Sequence, residues 1–411
     1  MISLMLRAIF MISSGHQLML RLAVLITHPI QYLAPLFRAL AKRDDIVLKV
    51  FFLWHQGTAE TRDPQFDRSF TWDVPLLDGY DHELIPNIAA NPGTNHFFGL
   101  VNPSAPIRIR AFRPDVLVMH GYHRFTEVEI MAAARLFRIP MLLRADPTLL
   151  RRRPPHVALA KRVLVPPWLS QFAGALATGT LNSRYYTHYG MPAERIFTAP
   201  FSVDNSFFQS READARMAAR ALRSELGIAE SDFTAVFAAK LIAHKGCMDL
   251  IRAFGSRPRK NTHLIIVGDG PEKDECVKLA HDVAPGRTHF LGFFNQLRMP
   301  TAYALGDVFV LPSLFEPWGL AVNEAMSLGL PIIASDQVGA VPDLVSPDNG
   351  WVFPAGNVPA LSRVLDEALD NREALARKSE ASRLRIAQWD IPQTVEAYLH
   401  AAQAVRTAVN Q

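Results

Sequence analysis

One pattern narrows the fold more than any other, and it occurs twice. Short runs that are apolar at almost every position alternate with longer stretches of helical periodicity. In the first half LRLAVLITH (20–28) leads into YLAPLFRALAKR, and DIVLKVFFL (45–53) follows. DVLVMH (115–120) then leads into EVEIMAAARLFR, and PMLLRAD (140–146) and GALATGTL (174–181) come next. A polar stretch rich in Arg, Ala and Glu runs to Gly227, after which FTAVFAAK (233–240), THLIIVGDG (262–270), THFLGFF (288–294), DVFVLPS (307–313) and PIIAS (331–335) repeat the pattern. A strand apolar on both faces is covered by helices on both sides, which is the condition of a parallel sheet built from βαβ units. The expected class is therefore α/β, with two doubly wound sheets in series and a linker near 200–230. At 411 residues the chain is too long for a single core. The divisions fall at 1–205, 206–388 and a closing helical segment 389–411, where WDIPQTVEAYLHAAQAV carries Pro392 in its first turn. Open parallel sheets bind ligands outside the carboxyl ends of their strands, so site residues should directly follow the apolar runs.

Charge and cysteine content exclude several classes. The net charge is +4, but residues 1–200 hold 22 Lys and Arg against 14 Asp and Glu, whereas the remainder holds 21 against 25. The runs RRRPP (151–155) and RIRAFR (108–113) concentrate the excess, which suits an anionic acceptor or peripheral contact with an anionic membrane surface. No nucleic-acid-binding motif accompanies these arginines, so nucleic acid is not an expected partner. Two cysteines, Cys247 and Cys276, do not make a disulfide framework and fit a reducing, cytoplasmic setting. Residues 1–20 are apolar, yet Arg7 and His16 interrupt them and a charged start is missing, so they read as an N-terminal extension and not a signal peptide. No run of uninterrupted apolar residues is long enough to span a bilayer.

The chemistry concentrates in LFEPWGLAVNEAMSLGLP (314–331). Its spacing predicts a helix with Pro317 in the first position and Gly329 and Pro331 as stop signals. The first amides of such a helix lack intrahelical partners and suit a phosphate, and Gly319 leaves room for one to approach. Eight residues of helix would set Glu324 about 12 Å beyond Glu316, the span of a diphosphate with a sugar at each end. Carboxylates accept hydrogen bonds from paired hydroxyls, so each glutamate suits one sugar. AAKLIAHKGCMDLIRAF (238–254) adds Lys240 and Lys245, two cations able to stabilise charge on a leaving diphosphate. IIVGDGP (265–271), with Gly268, reads as a glycine-rich turn from strand to helix. Taken singly, each glutamate or lysine fits a solvated face equally well.

Taken together, AAKLIAHKGCMDLIRAF, LIIVGDGPEKDE, HFLGFF, DVFVLPSLFEPWGLAVNEAMSLGLPIIASDQVGAVPDLV and NGWVFPAGN resemble the family 4, glycogen-synthase-like glycosyltransferases. The likeness is strongest over 233–357, and the E-x7-E element from Glu316 to Glu324 is its most specific part. It implies the GT-B fold: two Rossmann-like domains facing across a cleft, the first on the acceptor side, the second binding the donor, and a closing helix that crosses back to the first. It implies that Glu316 contacts the donor sugar, Glu324 the ribose, Lys240 and Lys245 the diphosphate, and the amides of Gly319 and Leu320 a phosphate. Lys240 departs from the arginine more common in the family. Phe293 or Phe294 would lie beside the base.

On the first domain the family places glycines after the first strand, where this chain has THPIQYLAPL with His28 and Gln31. His120 and His123 follow DVLVM, and His120 is the better match to the family's histidine near donor sugar and acceptor. Arg144, Asp146 and Asn182 hold equivalent places on later strands and would line the acceptor side. The implied activity is a retaining hexosyl transfer from a UDP- or GDP-sugar to a hydroxyl of a glycan or lipid-linked acceptor, in cell-surface polysaccharide or glycolipid synthesis. The expected route is a front-face reaction in which the leaving phosphate oxygen takes the acceptor proton. The nucleotide sugar is a co-substrate and no cofactor is expected. No Asp-x-Asp motif or Cys/His set suggests a metal. An epimerase or phosphorylase of the same fold, or a silent nucleotide-sugar-binding subunit, are the alternatives.

Overall fold

The computed structural model describes residues 19–409 except 59–60, 64–67, 152 and 257–258. The expected N-terminal extension, up to residue 18, and Arg152 of RRRPP lie outside the described residues.

The first lobe contains β1 (Leu20–Ile26), β2 (Ile46–Phe52), β3 (Thr61–Asp63), β4 (Arg68–Phe70), β5 (His82–Leu84), β6 (Val116–Met119), β7 (Met141–Leu143), β8 (Gly174–Ala177) and β9 (Ile196–Thr198). Seven of them form a parallel sheet in the order β5-β2-β1-β6-β7-β8-β9, while β3 and β4 pair as a separate antiparallel hairpin. The second lobe contains β10 (Phe233–Ala238), β11 (Thr262–Val267), β12 (Thr288–Gly292), β13 (Val308–Leu311), β14 (Ile332–Ser335) and β15 (Gly350–Phe353), all parallel, in the order β12-β11-β10-β13-β14-β15. Both sheets are doubly wound. Their strand order reverses between β1 and β6 in the first and between β10 and β13 in the second, which is where such sheets open a crevice.

The central strands are buried along their whole length, as the apolar runs require: every residue of β6, β10 and β13 is inaccessible. Each sheet carries an apolar layer on both faces, one with Val24, Val118 and Leu142, another with Leu25, Met119 and Leu143, and correspondingly in the second lobe. The last helix, Ile391–Val409, follows the second lobe in sequence but packs on the first. Ile391, Val395, Tyr398, Leu399, Ala402 and Val405 recur at three- and four-residue intervals and enter the layer of Val24 and Val118, and Arg43 pairs with Glu396 at the rim.

The lobes meet along a polar and aromatic seam. Thr180 donates from its amide (2.9 Å) and its hydroxyl (2.6 Å) to the Asp343 carboxylate. Trp318 stacks on Trp389 with centroids 5.7 Å apart, and Asn323 donates to the Phe201 carbonyl at 2.9 Å.

Candidate active site

The chain leaves β13 into the segment that carries Glu316, and here the structure departs from the helix predicted to begin at Pro317. The helix begins at Leu320 and runs to Ser327. Glu316 instead bridges Val338 in parallel: its amide donates to Gln337 (3.0 Å), and its carbonyl accepts from Gly339 (2.9 Å). These long-range bonds hold Glu316 in a bridge and the chain bends at Pro317 and Trp318, so Pro317 precedes the helix, and the 12 Å axial spacing from Glu316 to Glu324 does not apply. Gly319 makes the turn into the helix at a φ of 99°, a left-handed conformation that a side chain would strain. The free amides of the first turn therefore start at Leu320, close to Glu316.

Lys245 reaches the same place from β10. A 3-10 turn, Ala243–Lys245, follows that strand, and the His244 carbonyl accepts from Leu314 at 2.7 Å, which ties the two strand ends together. The Lys245 ammonium lies directly on the Glu316 carboxylate, with side chains only 17% and 13% exposed. Burial first, and then the Lys245 charge, lower the pKa of neighbouring His244. Lys240 stands half-buried two residues past β10. Gly268 lies against this segment: its amide donates to Gly292 at 2.8 Å, and a Cβ there would run into the Ala239 carbonyl oxygen. Its role in the structure is to let two strand ends approach beside Lys240.

Glu324 sits further along the helix. The Tyr303 hydroxyl donates to it at 2.6 Å, Gln296 donates as well, and burial nevertheless pushes its carboxyl up to about 7. Phe293 and Phe294, the two residues expected near the base, separate. Phe294 is buried in the core beneath the Arg298 guanidinium, while Phe293 meets Phe70 of the first lobe at 4.8 Å. Next to them Asn295 donates to the Thr71 carbonyl (2.7 Å) and the Leu297 amide to Asp73 (3.1 Å), so a first-lobe strap touches the loop that carries Gln296.

Opposite lies a cleft of about 370 Å³ whose walls include His120, His123, Arg144 and Asp146 from the first lobe and Phe315 and Pro317 from the second. His120, at the end of β6, faces the Tyr398 hydroxyl at 3.3 Å, and burial followed by the Arg144 charge pushes its pKa down to about 3, so its ring is neutral. The His123 amide donates to the buried Glu127 carboxylate at 2.8 Å, which also accepts from the amide and side chain of Arg124 and fixes this loop. Arg144 reaches the wall, but its guanidinium donates to the carbonyls of Leu176, Ala199 and Pro200; it ties β8 to the chain after β9. Burial first, and with it nearby Glu316, raises the pKa of Asp146, against the opposing charge of Arg144.

Three expected first-lobe residues are not part of this wall. Asn182 is buried, accepting from Thr178 and donating to Pro147, so it shapes a turn. His28 bonds the Thr27 hydroxyl at 2.8 Å and turns toward Trp54, its pKa lowered to about 4 by burial and then Arg124. Gln31 stands half-buried beside it, while its neighbours Ile30 and Tyr32 line the cleft. Sequence reasoning missed Tyr303, Gln296, Glu127 and Lys161, none of which stands in a local motif. The one available signal was for Tyr303, an aromatic with a polar tip in a buried helix.

The family model for group 1 glycosyl transferases matches residues 219–385. An uncharacterized glycosyltransferase of Methanocaldococcus jannaschii is 30% identical over 187 residues, 43% of this chain and 47% of that protein. The MMP alpha-(1->4)-mannosyltransferase of Mycolicibacterium hassiacum is 30% identical over 296 residues, 68% of this chain and 64% of that one. The matches thus span about half the length of the first relative and under two thirds of the second. Among solved structures, Anabaena HepE in complex with UDP superposes with a TM-score of 0.71 at 19% identity, over 94% of this chain and 100% of that one, a likeness of fold. The two Rossmann-like lobes thus stand in the GT-B arrangement, and the second of them carries the match to the group 1 glycosyl transferases.

Proposed function

We propose that the chain transfers a sugar from a nucleoside-diphosphate sugar, with a UDP- or GDP-sugar as donor, to a hydroxyl of a glycan or lipid-linked acceptor, with retention at the anomeric carbon. The observation that carries this reading is the enclosed Lys245–Glu316 pair beyond the ends of β10 and β13, where Phe315 and Pro317 on either side of Glu316 line the cleft. The two charges satisfy each other. A bound diphosphate would take the ammonium, with Lys240 and the Leu320 amide beside it, and would release the Glu316 carboxylate to accept from hydroxyls of the donor sugar. Glu324 would hold the ribose. The leaving phosphate oxygen then takes the acceptor proton, and the protein contributes position and charge stabilisation without a nucleophile of its own. With two lysines supplying the positive charge, the reaction proposed is metal-independent, so activity should survive chelation.

Among the described residues no helix is long and apolar enough to cross a membrane. The test is release of nucleoside diphosphate from UDP- and GDP-sugars, read with and without a cell-envelope extract as acceptor source, with the anomer of the product assigned by NMR. Acceptor-dependent release with the donor's configuration kept supports the proposal. An inverted product overturns retention, and isomerised donor without acceptor turns the reading toward an epimerase.

A further inference from the structure

The first-lobe wall of the cleft carries more positive charge than its surroundings compensate. Arg151 and Arg153 follow β7, and Lys161 reaches the same cleft from the helix Pro155–Leu169. Two other cations there are engaged, Arg124 with Glu127 and Arg144 with carbonyls. For Arg151, Arg153 and Lys161 no carboxylate stands within ion-pair distance among the described residues. Lys161 and Arg151 lie against rings instead, and Arg153 is exposed at the rim. The Lys161 ammonium lies 5.1 Å from the Tyr185 centroid and 5.6 Å from that of Tyr189, and the Arg151 guanidinium lies 5.9 Å from the ring of Phe315, the residue before Glu316. Burial, and then the nearby Arg153, lower the pKa of Lys161. Asp146 is the acid on the same wall, and it stands near Arg144 and Glu316.

Like charges converging on a partly enclosed space repel one another, and an oxyanion placed among them relieves that repulsion. Guanidinium forks and an ammonium match the geometry of a phosphate. We propose that this wall is a subsite for a phosphate group on the acceptor, so that the hydroxyl to be glycosylated belongs to a phosphorylated molecule. The inference rests on the transferase reading for the statement that this molecule is the acceptor. The phosphate has two possible sources, a lipid headgroup or a soluble sugar phosphate, and its chemistry is common to both.

The experiment compares the full-length protein with an Arg153→Gln/Lys161→Gln double variant and with Lys161→Arg, which keeps the charge. Each is titrated with glucose 6-phosphate against a glucose control, cosedimented with vesicles of phosphatidylglycerol in phosphatidylcholine, and titrated separately with UDP and GDP. The wild type should hold one of the two phosphate probes, and which one it holds identifies the source. The double variant should bind that probe about tenfold more weakly or worse, the loss expected for charge-assisted hydrogen bonds. Lys161→Arg should retain binding, and nucleotide affinity should stay unchanged in all three. The subsite is overturned if neither probe binds, if the double variant binds equally, or if the nucleotide displaces the probe. Phosphate-probe binding that persists when neither UDP nor GDP binds supports the subsite and removes the transferase reading alone.

Discussion

Across the cleft the two lobes treat charge differently. On the second, Lys245 lies on Glu316, and Glu324 takes hydrogen bonds from Tyr303 and Gln296. On the first, Arg151 and Lys161 lie against aromatic rings with Arg153 nearby, and none of the three has a carboxylate partner among the described residues. The difference teaches how a site stays ordered before its ligands arrive. Groups that must exchange partners during a reaction are pre-paired with each other, which fixes their geometry. Groups that only receive a ligand can be left uncompensated, provided packing holds them. Breaking the pair should therefore affect turnover most. Lys245→Met removes the cation from the leaving diphosphate, and loss of one such stabilising group lowers turnover by about 10²–10³-fold. Glu316→Gln should cost turnover similarly while nucleoside-diphosphate affinity, measured by titration, holds or rises, because Lys245 is then free for the phosphate. A Lys245→Met enzyme that lost only KM would reduce the pair to a packing device.

The seam that sets the two walls against each other is the next place to intervene. A Cβ at Gly179 would lie 2.5 Å from the Trp318 ring and 2.6 Å from the Asp343 carboxylate. The backbone there is extended and accepts any residue, so Gly179→Ala acts only through this steric conflict. Overpacking of this kind costs about 1–3 kcal/mol, read as a lower midpoint of thermal unfolding. An unchanged midpoint would mean that the lobes separate freely at this point, and that the cleft dimensions are set elsewhere.

The contrast between lobes also decides what could be read from the sequence. Glu316, Gly319, Leu320 and Glu324 lie within one loop and the start of one helix, so a local motif holds them, and the buried runs of β10, β11, β13 and β14 are apolar enough to stand out. The short outer strands β5 and β9 are partly accessible along their length, and β15 is four residues with an accessible middle, so none carries such a run. The helix start was misplaced for a different reason. Pro317 is a sound local signal, but the bridge from Glu316 to Val338 lies 22 residues away in sequence and overrides it. On the first lobe nothing local separates Lys161, which enters the cleft, from Arg162 beside it, which is exposed. Conversely, Arg144 and Asn182 stand after strands as expected, yet their hydrogen bonds hold turns and strand ends.

A smaller effect separates the glutamates by pH. Burial raises the Glu324 carboxyl to about 7, so its protonated form is favoured below that pH and its ionised form above it. The stability it contributes is present below the unfolded carboxylate pKa and is lost as pH rises through 7. Glu324→Gln should therefore raise the unfolding midpoint at pH 8 and leave it nearly unchanged at pH 4. Ribose hydroxyls donate to the ionised form, so nucleotide binding should tighten by up to about tenfold from pH 6 to pH 8 in the wild type, one pK unit of population on the low side. The Gln variant reports the nucleotide's own titration, and equal pH profiles for the two proteins would remove Glu324 from the binding site.

The mildest test concerns a place where the first lobe touches the second away from the cleft. Asp73 accepts from the Leu297 amide, and Thr71 accepts from Asn295, on either side of Gln296, whose side chain bonds Glu324. The strap thus holds a residue of the paired lobe in place from the unpaired one. These bonds are exposed, and each is worth about 1 kcal/mol. Asp73→Ala should accordingly weaken nucleoside-diphosphate binding about fivefold at most, with turnover at saturating donor nearly intact. The same change made together with Glu324→Gln should add little, because the route from the strap to the nucleotide runs through that carboxylate. Full additivity of the two losses would show that the strap meets the nucleotide directly, through Phe70 and Phe293, and not by way of Gln296.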